Sequence, residues 1–155
     1  MRLELLFLGK TREAYLASGI KDYLKRLSHY IKVEIITVKE GKIKKGESEN
    51  IIIEKESRSL LQNVQGSYFV CLDRTGKQLD SLQLAGQLQN WEMQGLKKIS
   101  FIIGGPLGLS ADILKKADLV LSLSRMTFTH EMARLLLMEQ LYRACTIKAG
   151  EKYHK

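Results

Sequence analysis

The 155-residue chain has the length of one domain, and a domain of this size buries roughly 68–70% of its unfolded surface. Its hydrophobic content of 45% and its single proline exclude a disordered or linker-rich protein. The formal net charge of +8, from 25 Lys and Arg against 17 Asp and Glu, favours a polyanionic partner such as nucleic acid but does not establish one.

In the first half of the chain, strands and helices alternate. A predicted strand over residues 3–8 ends at Gly9, and a helix follows over about 12–30. A second strand spans 33–38, and the lysine-rich segment 39–47 is a loop. The next helix leads to a third strand over 68–72, and its apolar face is marked by Ile53, Ser57, Leu60, Leu61 and Val64.

The second half continues this alternation. Residues 73–77 are predicted to turn the chain, and Ser81 to cap a helix that runs to about residue 94 and ends at Gly95. A fourth strand over 99–103, a short helix over 111–116, a fifth strand over 119–123 and a last helix over about 129–145 follow. The sequence therefore predicts one α/β domain over 1–155, with a mainly parallel sheet and helices on both faces.

The last predicted helix is apolar around most of its circumference. Its apolar residues are Met132, Leu135, Leu136, Leu137, Met138, Leu141 and Tyr142. Such a helix is buried on more than one side, so we expect a homodimer in which a second subunit covers it. The alternative is a core helix within the monomer.

The two cysteines and the chain ends predict the cellular setting. Cys71 lies in an apolar strand and Cys145 at the end of an apolar helix, and neither belongs to a Cys-x-x-Cys pair. We expect both to be reduced and buried, and we expect no metal site. The amino-terminal segment is too short and too charged for a signal peptide, and no apolar run approaches the roughly 20 residues of a membrane span. A cytoplasmic protein is therefore expected.

The most informative segment is Ile-Ile-Gly-Gly-Pro-Leu-Gly-Leu-Ser at 102–110, which follows a buried strand. Glycines there permit positive φ and close approach of a ligand to the backbone. The spacing fits neither the dinucleotide fingerprint nor the P-loop, and ligands of open α/β sheets lie beyond the carboxyl ends of the strands. We therefore predict a flat nucleoside ligand at this turn.

Three further segments can contribute to a site: 72–73 after the third strand, 123–128 after the fifth, and the tail 150–155. Each also has a simpler interpretation on its own. Residues 73–76 are compatible with an ordinary β-turn, Thr129 and Glu131 with a helix cap, His130 with a structural role, and His154 with a solvated terminus.

Motifs along essentially the whole chain resemble those of the ribosomal RNA large subunit methyltransferase H family, a group of small bacterial SPOUT enzymes. In order, the motifs are Leu8-Gly9-Lys10, Tyr23-Leu24-Lys25-Arg26, Leu72-Asp73 with Gly76-Lys77, Ile103-Gly104-Gly105-Pro106-x-Gly108-Leu109-Ser110, Ser122-Leu123-Ser124, Met126-Thr127-Phe128-Thr129-His130, Glu139-Gln140-Leu141-Tyr142-Arg143-Ala144 and Tyr153-His154. The tail departs from the family at Lys152, where proline often precedes the Tyr-His pair.

The resemblance implies a fold and a reaction. The carboxyl-terminal part would form a deep trefoil knot, which pattern reasoning would not propose, and the enzyme would be a homodimer packed through that region. The substrate would be pseudouridine 1915 (conventional 23S rRNA numbering) in helix 69, methylated on nitrogen 3 in the assembled ribosome. The cofactor would be S-adenosylmethionine (SAM), bound by Leu72, Gly104, Gly105, Leu123, Ser124, Arg125, Met126, Thr127 and Phe128.

The chemistry of this reaction suggests roles for the tail. The imide nitrogen of a uracil-type ring is a poor nucleophile until it loses its proton, and histidine, with an ordinary pKa near 6.5, is a suitable base. His154 is the predicted general base, or holds the target base close. Tyr153 would stack on or orient the ring, and Arg143 would stabilise the developing anion. Phosphates of the RNA would be contacted by Lys10, Lys21, Lys25, Arg26, Lys42, Lys44 and Lys45.

Two other functions compete with this interpretation. A non-catalytic ribosome-binding or RNA-binding factor of the same fold would not bind SAM. A flavodoxin-like nucleotide-binding module would need a Ser/Thr/Gly-rich phosphate loop after the first strand, where this chain has Gly9-Lys10-Thr11-Arg12-Glu13.

Overall fold

The structure, a computed structural model, describes residues 1–42, 44–64 and 66–153. Strands and helices alternate along these residues. In chain order they are β1 (Arg2–Leu8), α1 (Ala14–Leu27), β2 (Lys32–Val38), α2 (Glu49–Gln62), β3 (Tyr68–Gln78), α3 (Ser81–Met93), β4 (Lys98–Ile103), α4 (Ala111–Lys116), β5 (Leu119–Ser122) and α5 (His130–Lys148).

The strands form one sheet in the order β2-β1-β4-β3-β5, and every pairing in it is parallel. Side chains of a strand alternate between the two faces of a sheet. In β1, Leu3, Leu5 and Phe7 enter one hydrophobic cluster, and Leu6 and Leu8 enter another on the opposite face. Both faces are therefore covered, which confirms the predicted α/β class and the parallel sheet.

The helices are divided between these two faces. The larger cluster contains residues of α1, α3 and α5, and the smaller one contains Leu60 of α2 and Ile113 of α4. Because α5 contacts both α1 and α3, its residues Leu137, Met138 and Leu141 are fully buried within one chain. Burial inside the monomer thus accounts for much of the apolar circumference of α5, and the homodimer stays a prediction, as does the knot.

The predicted turn at residues 73–77 is wrong, because β3 continues through it to Gln78. Leu72 and Lys77 both pair with Leu121, so the intervening residues bulge out of the β3–β5 ladder. Gly76 makes this passage possible, since a Cβ there would lie 2.6 Å from the Val120 carbonyl oxygen. A close approach between backbones is a common reason for glycine within a strand.

Two helix ends also differ from the prediction. Asp80, not Ser81, caps α3: its Oδ1 accepts a hydrogen bond from Gln83 N at 2.7 Å, and Gln83 Oε1 accepts one from Asp80 N at 2.9 Å. This reciprocal capping box satisfies two backbone donors. Helix α5 extends to Lys148, beyond the predicted end near Cys145.

The two cysteines are free and buried, as expected. Burial raises the pKa of the Cys71 thiol to about 12 and that of Cys145 to about 11, so both stay protonated and unreactive near neutral pH. Among the helices of the described residues, none has the length and apolarity to cross a membrane.

Candidate active site

A cavity of about 630 Å³ lies at the carboxyl ends of β3, β4 and β5. This volume is within the range of small-molecule sites. Its walls come from the segments after these three strands and from the first turn of α5. The lining residues are Leu72, Asp73, Arg74, Ile103, Gly104, Gly105, Pro106, Leu107, Gly108, Leu123, Ser124, Met126, Thr127, Phe128, Thr129, His130 and Ala133.

The glycine turn after β4 forms one wall. Gly108 N donates to the Gly105 carbonyl oxygen at 3.0 Å, which closes a tight turn with Pro106 at its second position. A Cβ on Gly104 would lie 2.7 Å from the carbonyl oxygen of Gly108, a distance that real Cβ atoms do not reach. Gly104 therefore keeps the turn folded against itself, with backbone groups rather than side chains facing the cavity.

The segment after β5 forms the opposite rim. Ser122 Oγ donates to the Ser124 carbonyl oxygen at 3.0 Å, and Met126 N donates to Ser124 Oγ at 3.0 Å. These bonds hold an irregular loop in place, while Met126 remains 74% exposed and Phe128 39% exposed. Large exposed apolar side chains at the mouth of a cavity are typical of a surface that a ligand or another molecule covers.

Eight of the nine residues that the resemblance assigns to SAM line this cavity. Arg125 is the ninth, and its Nε instead donates to Gln78 Oε1 at 3.3 Å on the exposed side of β3. Asp73 and Arg74 also line the cavity, and the Asp73 Oδ1 accepts hydrogen bonds from Thr75 N and Thr75 Oγ1 at 2.9 and 2.6 Å. That the cavity residues bind SAM stays a prediction.

His130 lines the cavity from the first turn of α5, although its sequence context predicted only a structural role. Thr129 caps the helix by accepting a hydrogen bond from Met132 N at 3.2 Å. The side chain of His130 is 22% exposed, and its Nε2 lies 4.0 Å from Glu131 Oε1. Burial, and secondarily Arg134, lower the pKa of His130, so the ring is neutral at pH 7. The sequence did offer one indication that His130 belongs to the site: it lies seven residues after the predicted fifth strand over 119–123, which leads into the predicted site.

Glu131 and Arg134 attach this end of α5 to the loop after β1. Glu131 accepts hydrogen bonds from Arg12 N at 2.9 Å and Glu13 N at 3.0 Å. Arg134 is fully buried, and it donates to the Leu8 carbonyl oxygen at 2.5 Å and to Thr11 Oγ1 at 3.0 Å. Buried charges need such partners, so this end of the helix is held firmly.

The predicted catalytic residues Arg143 and Tyr153 lie away from the cavity, Arg143 near the carboxyl end of α5 and Tyr153 beyond that end. Arg143 donates to Glu139 Oε1 from Nε at 3.0 Å and from Nη2 at 2.5 Å, and its guanidinium lies 4.8 Å from the centre of the Tyr153 ring. Ten residues of helix separate Arg143 from Ala133 at the cavity, a rise of about 15 Å. His154 lies outside the described residues.

An aromatic cluster surrounds this part of the tail. The Tyr142 ring packs edge-on against Tyr153 at 4.8 Å between centroids, and it also contacts Tyr23 and Tyr30. Tyr30 donates to Glu151 Oε2 at 2.7 Å. Hydrogen bonding to Tyr23, burial and the Glu139 charge raise the pKa of the Tyr153 hydroxyl, which stays protonated and able to donate.

The predicted RNA contacts are on the surface. Lys10, Lys21, Lys25, Lys42, Lys44 and Lys45 are all exposed. Arg26 is paired with Asp22, with Nε 2.8 Å from Oδ2, and its guanidinium lies 5.9 Å from the centre of the Tyr142 ring. Within the described part of the chain, no group of three or more His, Cys, Asp or Glu side chains is placed to hold a metal ion.

Comparison with known proteins identifies the family. Residues 1–154 match the family model described as predicted SPOUT methyltransferase. The chain is 55% identical to the ribosomal RNA large subunit methyltransferase H of Desulfotalea psychrophila and 46% identical to that of Halothermothrix orenii, with 100% of each chain covered in both cases. This chain belongs to that SPOUT methyltransferase family. The resemblance predicted from the motifs is confirmed.

Solved structures support the fold at much lower identity. A probable methyltransferase from Bordetella pertussis has a TM-score of 0.55 at 10% identity, covering 93% of this chain and 95% of that one. A tRNA (m1G37) methyltransferase from Aquifex aeolicus has a TM-score of 0.54 at 16% identity, covering 92% and 69%. Similarity at this level shows a common fold and carries no information about the substrate.

Proposed function

We propose that this protein transfers a methyl group from SAM to nitrogen 3 of pseudouridine 1915 in helix 69 of 23S rRNA, on the assembled ribosome. The observation that carries the proposal is the cavity at the carboxyl ends of β3, β4 and β5, lined by eight residues assigned to SAM from the sequence. The names of the full-length relatives support a large-subunit rRNA substrate. A ribosomal substrate agrees with the expected cytoplasmic location.

The lining of the cavity supports SAM as its ligand. Gly104 and the turn it closes offer backbone groups, and Leu72, Leu123 and Phe128 offer apolar contacts for a flat ring. SAM supplies a methyl group on a positively charged sulfonium, whose leaving group is a neutral thioether. The task left to the protein is therefore to hold the target base in line and to remove its proton.

We assign the holding of the target base to Arg143, Tyr153 and His154. Arg143 lies about 15 Å along α5 from the Ala133 position at the cavity of its own chain, and Tyr153 packs against Arg143. A homodimer offers a way to bring both side chains to a cavity. The exposed apolar side chains of Leu107, Met126 and Phe128 at the cavity rim support a second copy at this surface. A mixed dimer of one copy with Gly104→Ala and one with Arg143→Ala would then retain activity at one of its two sites.

The exposed lysines provide contacts to RNA phosphates. Lys10 follows β1, and Lys42, Lys44 and Lys45 lie in the loop after β2, so they lie on the loops at the carboxyl edge of the sheet, as the cavity does. Phosphate contacts position RNA without selecting sequence, and selection then falls to the residues around the target base.

The experiment uses ribosomes from a strain that lacks this gene. Purified protein and methyl-labelled SAM are added, and the label is mapped in 23S rRNA. We expect label on nitrogen 3 of the helix 69 pseudouridine, and no label with Gly104→Ala. SAM binding without label at that position would mean that the protein methylates a different substrate. Absence of both binding and label would favour a non-catalytic factor of the same fold.

A further inference from the structure

We infer that His130, at the first turn of α5, accepts the proton of the target base, and that the tail histidine His154 does not. This assignment rests on the proposed methyl transfer and names the proton acceptor for it. It follows from the position of His130 in the wall of the cavity and from the chemistry of the other described residues there.

Few side chains around the cavity can accept a proton near neutral pH. Arg74 is a cation with no acceptor, and the hydroxyls of Ser124, Thr127 and Thr129 are not bases at this pH. Asp73 is a carboxylate whose Oδ1 accepts two hydrogen bonds from Thr75, and carboxylates are in general weaker bases than imidazoles. Of the described residues in the wall, His130 is the one imidazole, and imidazole titrates in the physiological range.

The charged groups around His130 keep its ring neutral. Arg134 on its own helix and Arg12 from the loop after β1 disfavour the protonated form, while Glu131 and Glu40 favour it. Burial is the largest of these influences, and with it the balance lies on the side of the neutral ring. Asp73 and Arg74 face the same cavity from β3. A neutral ring has one nitrogen with a free electron pair, which a base requires.

The neighbouring carboxylate can stabilise the product of the proton transfer. Glu131 is held by two backbone N–H groups of the β1–α1 loop, and its Oε1 lies 4.0 Å from His130 Nε2. Burial would raise the pKa of Glu131, but those two donors and Arg134 outweigh it and hold the pKa below its usual value. A fixed negative charge near the ring favours the imidazolium once it forms, as in other His–carboxylate pairs.

Proton transfer to His130 and methyl transfer to nitrogen 3 together conserve atoms and charge. The N3–H bond breaks, its proton passes to the free ring nitrogen of His130, and its electron pair remains on N3. That pair forms the new N–CH₃ bond while the methyl–sulfur bond breaks and its electrons return to sulfur. The positive charge of the sulfonium thus ends as the positive charge of the imidazolium, which then loses its proton to water.

The first test measures the ring itself, without turnover. Histidine ¹⁵N and ¹³C resonances of the purified protein are titrated from about pH 5 to 8, and His130→Gln identifies the signal of His130. We expect this ring to titrate below 6.5 and its signals to move on addition of S-adenosylhomocysteine, while those of His29 do not move. A His130 ring that is unaffected by a ligand that binds overturns the assignment.

The second test is the pH dependence of single-turnover methylation on ribosomes. For the unmodified protein we expect a rate that levels off above about pH 6.5, since His130 is then neutral. His130→Gln should lower the rate at pH 7 by about a hundredfold. The rate of this variant should then rise about tenfold per pH unit up to about pH 8.5, because the pseudouridine ring must lose its N3 proton to solvent when the imidazole is absent. His154→Ala should lower the rate without changing the shape of this profile, and His29→Gln should change neither.

A His130→Gln profile that keeps the shape of the unmodified protein would overturn the assignment, and so would a changed shape with His154→Ala. Failure of the proposed function looks different: the unmodified protein would then place no label on the helix 69 pseudouridine. Circular dichroism shows whether His130→Gln is folded, and a binding measurement shows whether it still binds SAM.

Discussion

The two ends of α5 are held in different ways. At the amino-terminal end, Glu131 and Arg134 are buried and bonded to backbone groups of the loop after β1. At the carboxyl-terminal end, partly exposed side chains hold the tail through the Arg143–Glu139 ion pair and the edge-on packing of Tyr142 against Tyr153. A partly exposed ion pair such as Arg143–Glu139 typically contributes about 0–1 kcal/mol. Removing Glu131 or Arg134 would leave buried backbone groups without their hydrogen-bond partners, which costs about 1–3 kcal/mol for each group.

This difference suggests a division of work. The rigid end holds the cavity wall and His130 in a fixed geometry, which catalysis by positioning and proton transfer requires. The weakly held end can rearrange when RNA arrives, because few kcal/mol oppose the movement of Tyr153 and Arg143. Variants at the rigid end should therefore affect cofactor binding or proton transfer, and variants at the other end should affect turnover on the ribosome alone.

The largest effect is expected at the cavity wall. Gly104→Ala places a methyl group 2.7 Å from the Gly108 carbonyl oxygen and forces the turn apart. We expect SAM binding, measured by calorimetry, to weaken about a hundredfold, or about 2.8 kcal/mol. The control is Gly86→Ala on the exposed face of α3, where a Cβ meets nothing within 4 Å. Equal SAM affinity in the two variants would remove the glycine turn from the site.

The next effect concerns the tail. His154→Ala should lower turnover on ribosomes at least tenfold and leave the affinity for SAM unchanged, because His154 is proposed to hold the target base and not the cofactor. Lys152→Ala, two residues earlier, is the matched control and should retain full turnover. If His154→Ala weakened SAM binding instead, the proposed separation between the two ends of α5 would be wrong.

A smaller effect is expected from the lysine loop. Each phosphate contact contributes about 0.7–0.9 to the slope of log affinity against log salt. Removing Lys42 and Lys44 together should therefore reduce the slope for ribosome binding by about 1.5. The control removes the equally exposed Lys32 and Lys97, which lie at the amino ends of β2 and β4, and should leave the slope unchanged. Equal slopes for both double variants would exclude the loop from the RNA interface.

The smallest effect concerns Glu56 on α2, a buried acid beside the glycine turn after β4. Its Oε2 is buried without a partner among the described residues, and it lies 3.1 Å from where a Cβ of Gly105 would be. Burial, and secondarily Glu40, raise the pKa of Glu56 in the folded state. Stability from this group is therefore present below pH 4.5 and lost as pH rises through the folded-state pKa.

Glu56→Gln should remove the loss of folding stability that ionisation of Glu56 causes at high pH. We expect the variant to unfold at a temperature about 2–4 °C higher than the unmodified protein at pH 8, with the difference disappearing near pH 4.5. Glu54→Gln, on the exposed side of the same helix, should have no such effect. A gain that is the same at both pH values would exclude ionisation of Glu56 as its cause.

The sequence predicted the fold well where one local pattern determines each element. Short and nearly continuous apolar runs in β1 and β4, and apolar residues at helical spacing in α1, were sufficient to predict an α/β sheet with helices on both faces. The continuation of β3 past Asp73 was not predictable, because it depends on the distant backbone of Val120 lying against Gly76. The Asp-Arg-Thr-Gly sequence by itself favours a turn.

The candidate site divides in the same way. Gly104 and the 123–128 segment were identified because they follow strand ends and match family motifs, and the structure brings them into one cavity. His130 and Glu56 were missed for a different reason. A histidine next to a helix cap and an acid in a charged helix are ordinary in sequence, and only the packing of α5 and α2 against the strand ends gives them their environment.

A structure of the protein with SAM bound tests the central claim most directly. We predict that SAM lies in the cavity with contacts to Leu72, Gly104 and the 123–128 segment, and that its methyl group faces the side on which His130 lies. SAM bound at another place, or in the cavity with the methyl group directed away from His130, would contradict the account of this site.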